Sequence, residues 1–362
     1  MKPSLKLSTH QGISIRRLHS QGLAQASFNQ PADVLAWMGA VQGQDYTGAK
    51  WSLGLRMVEA TDASVEQALA EKSIVRSWVL RGTLHLVAAA DLRWLLALVA
   101  PKLIAGNARR YRELELDEAT LVRGNDLLAG AVRNAGQLDR KRLLTILERN
   151  GISTAGQRGV YLLQRASLEG LICQITTPRN NSIFVSMDGF PPNRLEREQA
   201  LAELAKRYFR SRGPATLQDF IWWSGLAAAE ARAGLEAVRL QLVEETVNGQ
   251  AYWSAESART GEAHWEKMLL LPGFDEYLLA YKDRSASLES PLYNRSTPPN
   301  GMLPSTIVLG GRVVGTWKRT IKKSSVFISS DPFEMLASEE RRALAEAVDR
   351  YARFLGLSSV VV

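Results

Sequence analysis

The chain has 362 residues, 46% of them hydrophobic and 23% charged, which is enough for two to four domains with ample cores. Forty-five Lys and Arg against 37 Asp and Glu leave a net charge of +8, a balance that favours an anionic partner, nucleic acid being the commonest. The single cysteine, Cys173, excludes an internal disulfide framework and a cysteine-based metal cluster, and nothing else in the sequence asks for a metal or a cofactor. Residues Met1–Arg17 lack the apolar core of a signal peptide. Leu92–Ile104, the most apolar stretch, is too short for a membrane span and carries Arg93 and Lys102. A cytoplasmic soluble protein with no membrane partner is expected.

In chain order, the hydrophobic pattern predicts helices at Ile13–Gly22 and Pro31–Val41, the second with proline suited to its first turn. A polar turn follows, Gln42-Gly43-Gln44-Asp45, and helix resumes over Ala49–Arg56 and Ser64–Glu71. Ile74–Leu80 and Thr83–Val87 flank Arg81-Gly82 and read as a hairpin. Helices followed by a hairpin describe a winged helix, and the pattern recurs. Helices at Glu118–Asn134, Arg140–Asn150 and Thr154–Glu169 precede strands at Gly170–Ile175 and Ser182–Val185. Helices at Arg197–Arg212, Leu217–Ser224 and Ala227–Val238 precede strands at Leu242–Thr246 and Gln250–Trp253 around an Asn248-Gly249 turn. The last hundred residues differ. Strands at Lys267–Pro272, Ser305–Leu309, Arg312–Trp317 and Lys322–Ser329 mix with a short turn or helix at Gly273–Leu279 and a closing amphipathic helix at Pro332–Leu355. The expected fold class is α+β, mostly α: winged helix-turn-helix units at 12–112, 113–192 and 193–262, then a β-rich mixed module at 263–362.

Gln42 and Gln44 stand between apolar flanks. A buried amide without a partner costs about 1–3 kcal/mol, so two in one turn ask for a reason. Either they are structural amides tying the turn together, or they form a polar site that holds a water molecule or a base. Asp45 is a possible charged contributor and equally the cap of the following helix. Asp275 and Glu276 are adjacent, would point apart in a strand, and form no ready acid/base pair; Asp283 and Arg284 could tie them into an ion network.

Four stretches resemble one family. They are Val41–Asp45, the wing Val75–Leu86, Leu271–Arg284 and Gly310–Arg319, in that order, and the likeness covers residues from about 12 to 355. The chain resembles the AlkZ/YcaQ-like winged-helix DNA glycosylases. The resemblance implies three tandem winged helices in a C shape around a basic DNA channel. It implies an enzyme acting on double-stranded DNA with alkylated bases, chiefly N7-alkylpurines, including interstrand crosslinks; a monomer without a cofactor is expected. Gln42 and Gln44 match the family's Gln-x-Gln signature and would be catalytic, with Asp45 beside them. A hairpin that probes the duplex would have its tip near Asn300, where Met302-Leu303-Pro304-Ser305 departs from the family's usual pattern.

The other candidates for DNA contact are Lys50, Arg76, Arg81, His85, Lys318, Arg319, Lys322 and Lys323. Arg76 and Arg81 could meet phosphate or nearby carboxylates. For His85 a packed wing histidine is the plainer reading. The Lys318–Lys323 stripe could contact phosphate or protect an edge strand. Basic clusters at Arg109–Arg112 and Arg140–Arg142 are equally ambiguous. The competing function is a non-catalytic winged-helix DNA-binding protein or transcriptional regulator, which would be indifferent to the Gln pair.

Overall fold

The computed structural model describes residues 10–176, 181–256, 267–288 and 303–361. In chain order, α1 (His10–Ser20) and α2 (Pro31–Met38) lead to a two-residue strand β1 (Val41–Gln42), then α3 (Tyr46–Gly54) and α4 (Asp62–Ala70). β2 (Ile74–Trp78) and β3 (Leu84–Ala88) precede α5 (Leu92–Gly106), α6 (Ala108–Glu113) and α7 (Glu118–Ala135). β4 (Gln137–Asp139), α8 (Arg140–Arg149), α9 (Arg158–Leu168), β5 (Ile172–Thr176) and β6 (Ile183–Ser186) follow. Next come α10 (Arg197–Arg212), α11 (Leu217–Ser224), α12 (Ala228–Val238), β7 (Val243–Val247) and β8 (Gln250–Ser254). The chain closes with β9 (Met268–Leu271), α13 (Glu276–Leu279), β10 (Thr306–Leu309), β11 (Arg312–Lys322), β12 (Ser325–Pro332), α14 (Ser338–Leu355) and β13 (Ser358–Val361). The fold is mixed α+β, as expected. Among the described residues no helix is long and apolar enough to cross a membrane.

Two compact units divide the chain, one of residues 1–65 and 201–362, the other of residues 66–200. The first holds a five-stranded sheet in the order β13-β12-β11-β10-β9. Its strands are antiparallel except the β12–β13 pair, which is parallel. Helix α14 covers this sheet because Leu344, Val348, Tyr351 and Phe354 recur at helical spacing and are all buried. Trp51 on α3 joins them, its ring 4.9 Å from that of Tyr351 and 5.0 Å from that of Phe354. Gly54, one turn later, is required by this approach: a Cβ there would sit 2.6 Å from the Phe354 ring.

In the second unit the strands run in the order β3-β2-β5-β6-β4, and one contact, Arg76 opposite Gln174, joins the two hairpins into one sheet. Helix starts here follow local rules. Asp117 accepts from the Thr120 amide at 2.8 Å at the head of α7, and Asp139 accepts from the Arg142 amide at 2.7 Å at the head of α8.

Boundaries shift in places. β11 runs on to Lys322, so this lysine ends a strand rather than beginning the next. The closing helix starts at Ser338, where Glu340 accepts from the Ala337 amide at 2.8 Å, and Pro332 ends β12 instead. The polar stretch Gln137–Asp139 is a short strand paired with β6 before it caps α8.

Candidate active site

The Gln turn lies in the first unit, between two stops. Gly39, at φ +76°, ends α2, with its amide donating to the Leu35 carbonyl at 2.7 Å. Asp45 then starts α3: its Oδ1 accepts from the Gly48 amide at 3.1 Å. The cap explains the glycine, since a Cβ on Gly48 would lie 2.4 Å from Asp45 Oδ2. Between the stops, Gln42 is 7% exposed whereas Gln44 is exposed. The two amides therefore occupy different environments, one inside the turn and one facing solvent. Arg319 on β11 brings Nη2 to 3.4 and 3.5 Å from the two Asp45 carboxylate oxygens. Asp45 is thus both a cap and one member of a half-exposed ion pair.

Beneath the turn lies a group of buried charges. Glu276 is fully buried at the start of α13. Its Oε1 accepts from the Gln42 amide at 3.0 Å. Its Oε2 accepts from Arg212 Nη2 at 2.8 Å and from the Trp223 indole N–H at 2.8 Å. Arg212, equally buried, donates from Nη1 to the Met38 carbonyl at 2.6 Å and from Nη2 to the Ala40 carbonyl at 2.9 Å. Asp275 pairs with Arg56 through two 3.0 Å bonds, accepts from Ser52 Oγ at 2.6 Å, and caps the Tyr277 amide at 2.8 Å. Burial alone would raise the Asp275 carboxyl, but the Arg56 charge and these hydrogen bonds hold it below the usual carboxylate range. The adjacent acids do diverge, as the sequence suggests. Their partners are Arg56 and Arg212, however; Asp283 accepts from the Ser285 amide and Arg284 donates to the Leu278 carbonyl.

The chain matches the model of the AlkZ-like DNA glycosylases over residues 35–354. It belongs to that family. It is 25% identical over 323 residues to an interstrand DNA cross-link repair glycosylase of Streptomyces sahachiroi, covering 83% of this chain and 85% of that one. Its fold matches the structure of Streptomyces sahachiroi DNA glycosylase AlkZ with a TM-score of 0.77 over 100% of both chains, at 22% identity.

The candidate DNA contacts of this AlkZ-like glycosylase separate by environment. Lys318, Lys322 and Lys323 are exposed on β11 and the turn after it, and Arg319 is half-buried beside Asp45. Lys50 is 6% exposed, and its Nζ lies 2.8 Å from Asp62 and 4.9 Å from the Tyr46 ring centre. Its charge is used inside the unit. Arg76, Arg81 and His85 belong to the second unit. Arg76 is buried and donates to Gln174 Oε1 at 2.9 Å. His85 is fully buried with Nδ1 2.9 Å from the Thr83 carbonyl, in line with a packed histidine. Arg81 is half-buried in the turn between β2 and β3, at φ +56°. Asn300 lies outside the described residues.

Sequence reasoning noticed Asp275 and Glu276 but missed their partners Arg56 and Arg212, and read Trp223 as a core residue without its bond to Glu276. The available signal was the pair of acids between two apolar runs, Met268–Leu271 and Tyr277–Leu279: carboxylates in such a setting must be matched by cations.

Proposed function

We propose that the chain is a monofunctional, cofactor-free DNA glycosylase that hydrolyses the N-glycosidic bond of alkylated purines in double-stranded DNA, N7-alkylpurines first, and acts as a monomer. Interstrand cross-links, named for the Streptomyces sahachiroi relative, fall within the same reading. The observation that carries it is the Gln42–Gln44 turn, held between a helix end and a capped helix start on a backbone tied to buried charges. The pairs of helices and hairpins ending in β2–β3, β5–β6 and β7–β8 support the reading of 12–112, 113–192 and 193–262 as winged helices, with 263–362 as the β-rich module.

The chemistry suits neutral amides. A purine alkylated at N7 is already cationic, so the C1′–N9 bond breaks with the electron pair moving onto the base, and no general acid is needed. Positive charge passes to the deoxyribose as an oxocarbenium ion, and water oxygen bonds to C1′ while a proton departs. A glutamine carbonyl cannot deprotonate water, but it can orient it and direct a dipole at the developing charge. The Asp45 carboxylate, next in the chain after Gln44, is available to take the released proton. Because N7 faces the major groove, a bulky lesion there can be met from the groove. Lys318, Arg319, Lys322 and Lys323 are the cations proposed to contact phosphate, with Arg81 a further candidate.

Free base released from an N7-methylguanine duplex is the deciding measurement. The wild type should excise it, and Gln42→Ala/Gln44→Ala should not. No excision by the wild type, together with tight sequence-specific binding to undamaged DNA, would leave a DNA-binding regulator instead. Asp45→Ser separates the two roles of that residue, since serine caps a helix about as well as aspartate. A stable variant with lost excision assigns Asp45 to the chemistry, and unchanged excision leaves it as the cap.

A further inference from the structure

Two buried charge pairs stand on successive residues, Asp275 that caps α13 and Glu276 that begins it, and burying an ion pair seldom stabilises a fold relative to an apolar replacement. Their positions suggest a different purpose. A strand of two residues cannot hold its own geometry, and Gly39 releases the chain from α2 just before it. Along residues 38–42 the carbonyls of Met38 and Ala40 are taken by Arg212, and the amide of Gln42 is taken by Glu276. Three bonds on alternate residues fix both the path and the rotation of this segment. Arg212 and Glu276 are in turn tied to each other at 2.8 Å and to Trp223. On the far side of the turn, Asp275 grips α3 through Ser52 Oγ and receives Arg56, which also donates to the Ser52 carbonyl at 2.7 Å. The turn Gly43–Asp45 therefore spans two anchors, one before it on Glu276 and one after it on Asp275.

We infer that Glu276, with Arg212, is a positioning residue for excision, setting the backbone from which Gln42 and Gln44 project. The inference rests on the reading that this pair orients the attacking water. Neither charge needs to touch the DNA. Their effect passes through the amide of Gln42, and an error of about 1 Å in a catalytic group costs on the order of 100-fold in rate.

Glu276→Asp keeps the charge and withdraws the carboxylate from Gln42 by one methylene. Single-turnover excision of N7-methylguanine should fall about 10–100-fold, while affinity for the same duplex stays within about 3-fold of wild type, well inside one decade of free energy. A role confined to folding would not produce this split. Because Glu276 acts through the Gln pair, its loss should not multiply with that of Gln44→Ala: the double variant should be no slower than the slower single one. Should Glu276→Asp fail to fold, Trp223→Phe removes the indole donor to Glu276, together with part of the ring that Arg212 stacks on at 4.2 Å, and should slow excision several-fold with the same non-additivity. Wild-type rates in the folded variant, or losses that multiply, overturn the inference while the Gln reading stands. Full activity in Gln42→Ala/Gln44→Ala overturns that reading and this inference with it.

Discussion

The first unit carries surface ion pairs, Arg239–Glu244 among them, as the second does, but it also buries charge. In the first, Arg56–Asp275, Arg212–Glu276 and Arg17–Asp219 all lie inside, no partner more than 2% exposed. In the second, Arg109–Glu113, Arg110–Glu113 and Arg133–Asp188 lie on the surface, and Arg165, though largely covered, reaches out to an exposed Glu118. Desolvating a carboxylate and a guanidinium costs several kcal/mol for each ion before any attraction is recovered, whereas surface pairs cost and contribute little. Charge goes inside only where the bonds it makes hold something that apolar packing cannot specify. Here that something is main chain: the carbonyls of Met38, Ala40 and Ser52 and the amides of Gln42 and Tyr277. Arg56–Asp275 and Arg212–Glu276 hold the backbone around the Gln turn, and Arg17–Asp219 holds that of Pro214, Thr216 and Lys282; the surface ions decorate helices that already pack.

The contrast can be broken most directly at Arg56. Arg56→Met leaves Asp275 buried without its partner and should destabilise the protein by about 3–5 kcal/mol, read as a fall in the urea midpoint. A loss below about 1 kcal/mol, the range of surface pairs, would erase the distinction. The pH dependence of that loss sharpens it. The folded Asp275 carboxyl lies below its unfolded value, so the pair's contribution is complete above about pH 5 and is lost as pH falls through the ordinary aspartate range near 4 and below. In Arg56→Met the sign reverses, because an unpartnered buried carboxyl binds its proton more tightly folded than unfolded. The gap between variant and wild type should be widest at pH 7 and should close in unfolding curves taken at pH 5, 4 and 3.

A smaller effect compares the two cores. Gly54→Ala drives a methyl into the Phe354 ring, which is wedged against Trp51, and should cost about 1–3 kcal/mol. Gly124→Ala in the second unit meets only the end of the Leu162 side chain at 3.0 Å and gains about 1 kcal/mol of helix propensity. Its melting temperature should stay near wild type, and a drop as large as that of Gly54→Ala would contradict the packing described. The smallest expected change is that of Arg133→Ala, which breaks an exposed pair with Asp188 and should leave the melting curve unmoved.

Local signals carried far. Arg197–Arg212 and Leu217–Ser224 are helices to the residue because their ends are written nearby, the second by a Thr216–Asp219 capping box. The Asn248-Gly249 turn is read correctly because both residues take positive φ, as such hairpins require. The polar turn and its two glutamines were visible for the same reason. β13 was not visible, since a terminal strand exists only through its partner β12. β11 was expected to end at Trp317, where the apolar alternation gives way to Lys318 and Arg319, while the strand continues as one side of a ribbon paired to Ser325–Pro332. The anchors of the Gln turn were beyond local reading altogether. Glu276 meets Gln42 across 234 positions and Arg212 across 64, and no composition or period announces such a meeting.

One last residue has a practical use. The thiol of Cys173, the only cysteine in the chain, is buried in β5, and burial pushes its pKa up to about 12. At neutral pH it is neither ionised nor reachable, so maleimides should pass it by. A cysteine placed at Lys322, at the exposed end of β11, would then be the single reactive site in an otherwise native chain. A dye or spin label there could follow that strand's end onto and off a damaged duplex without first altering the core.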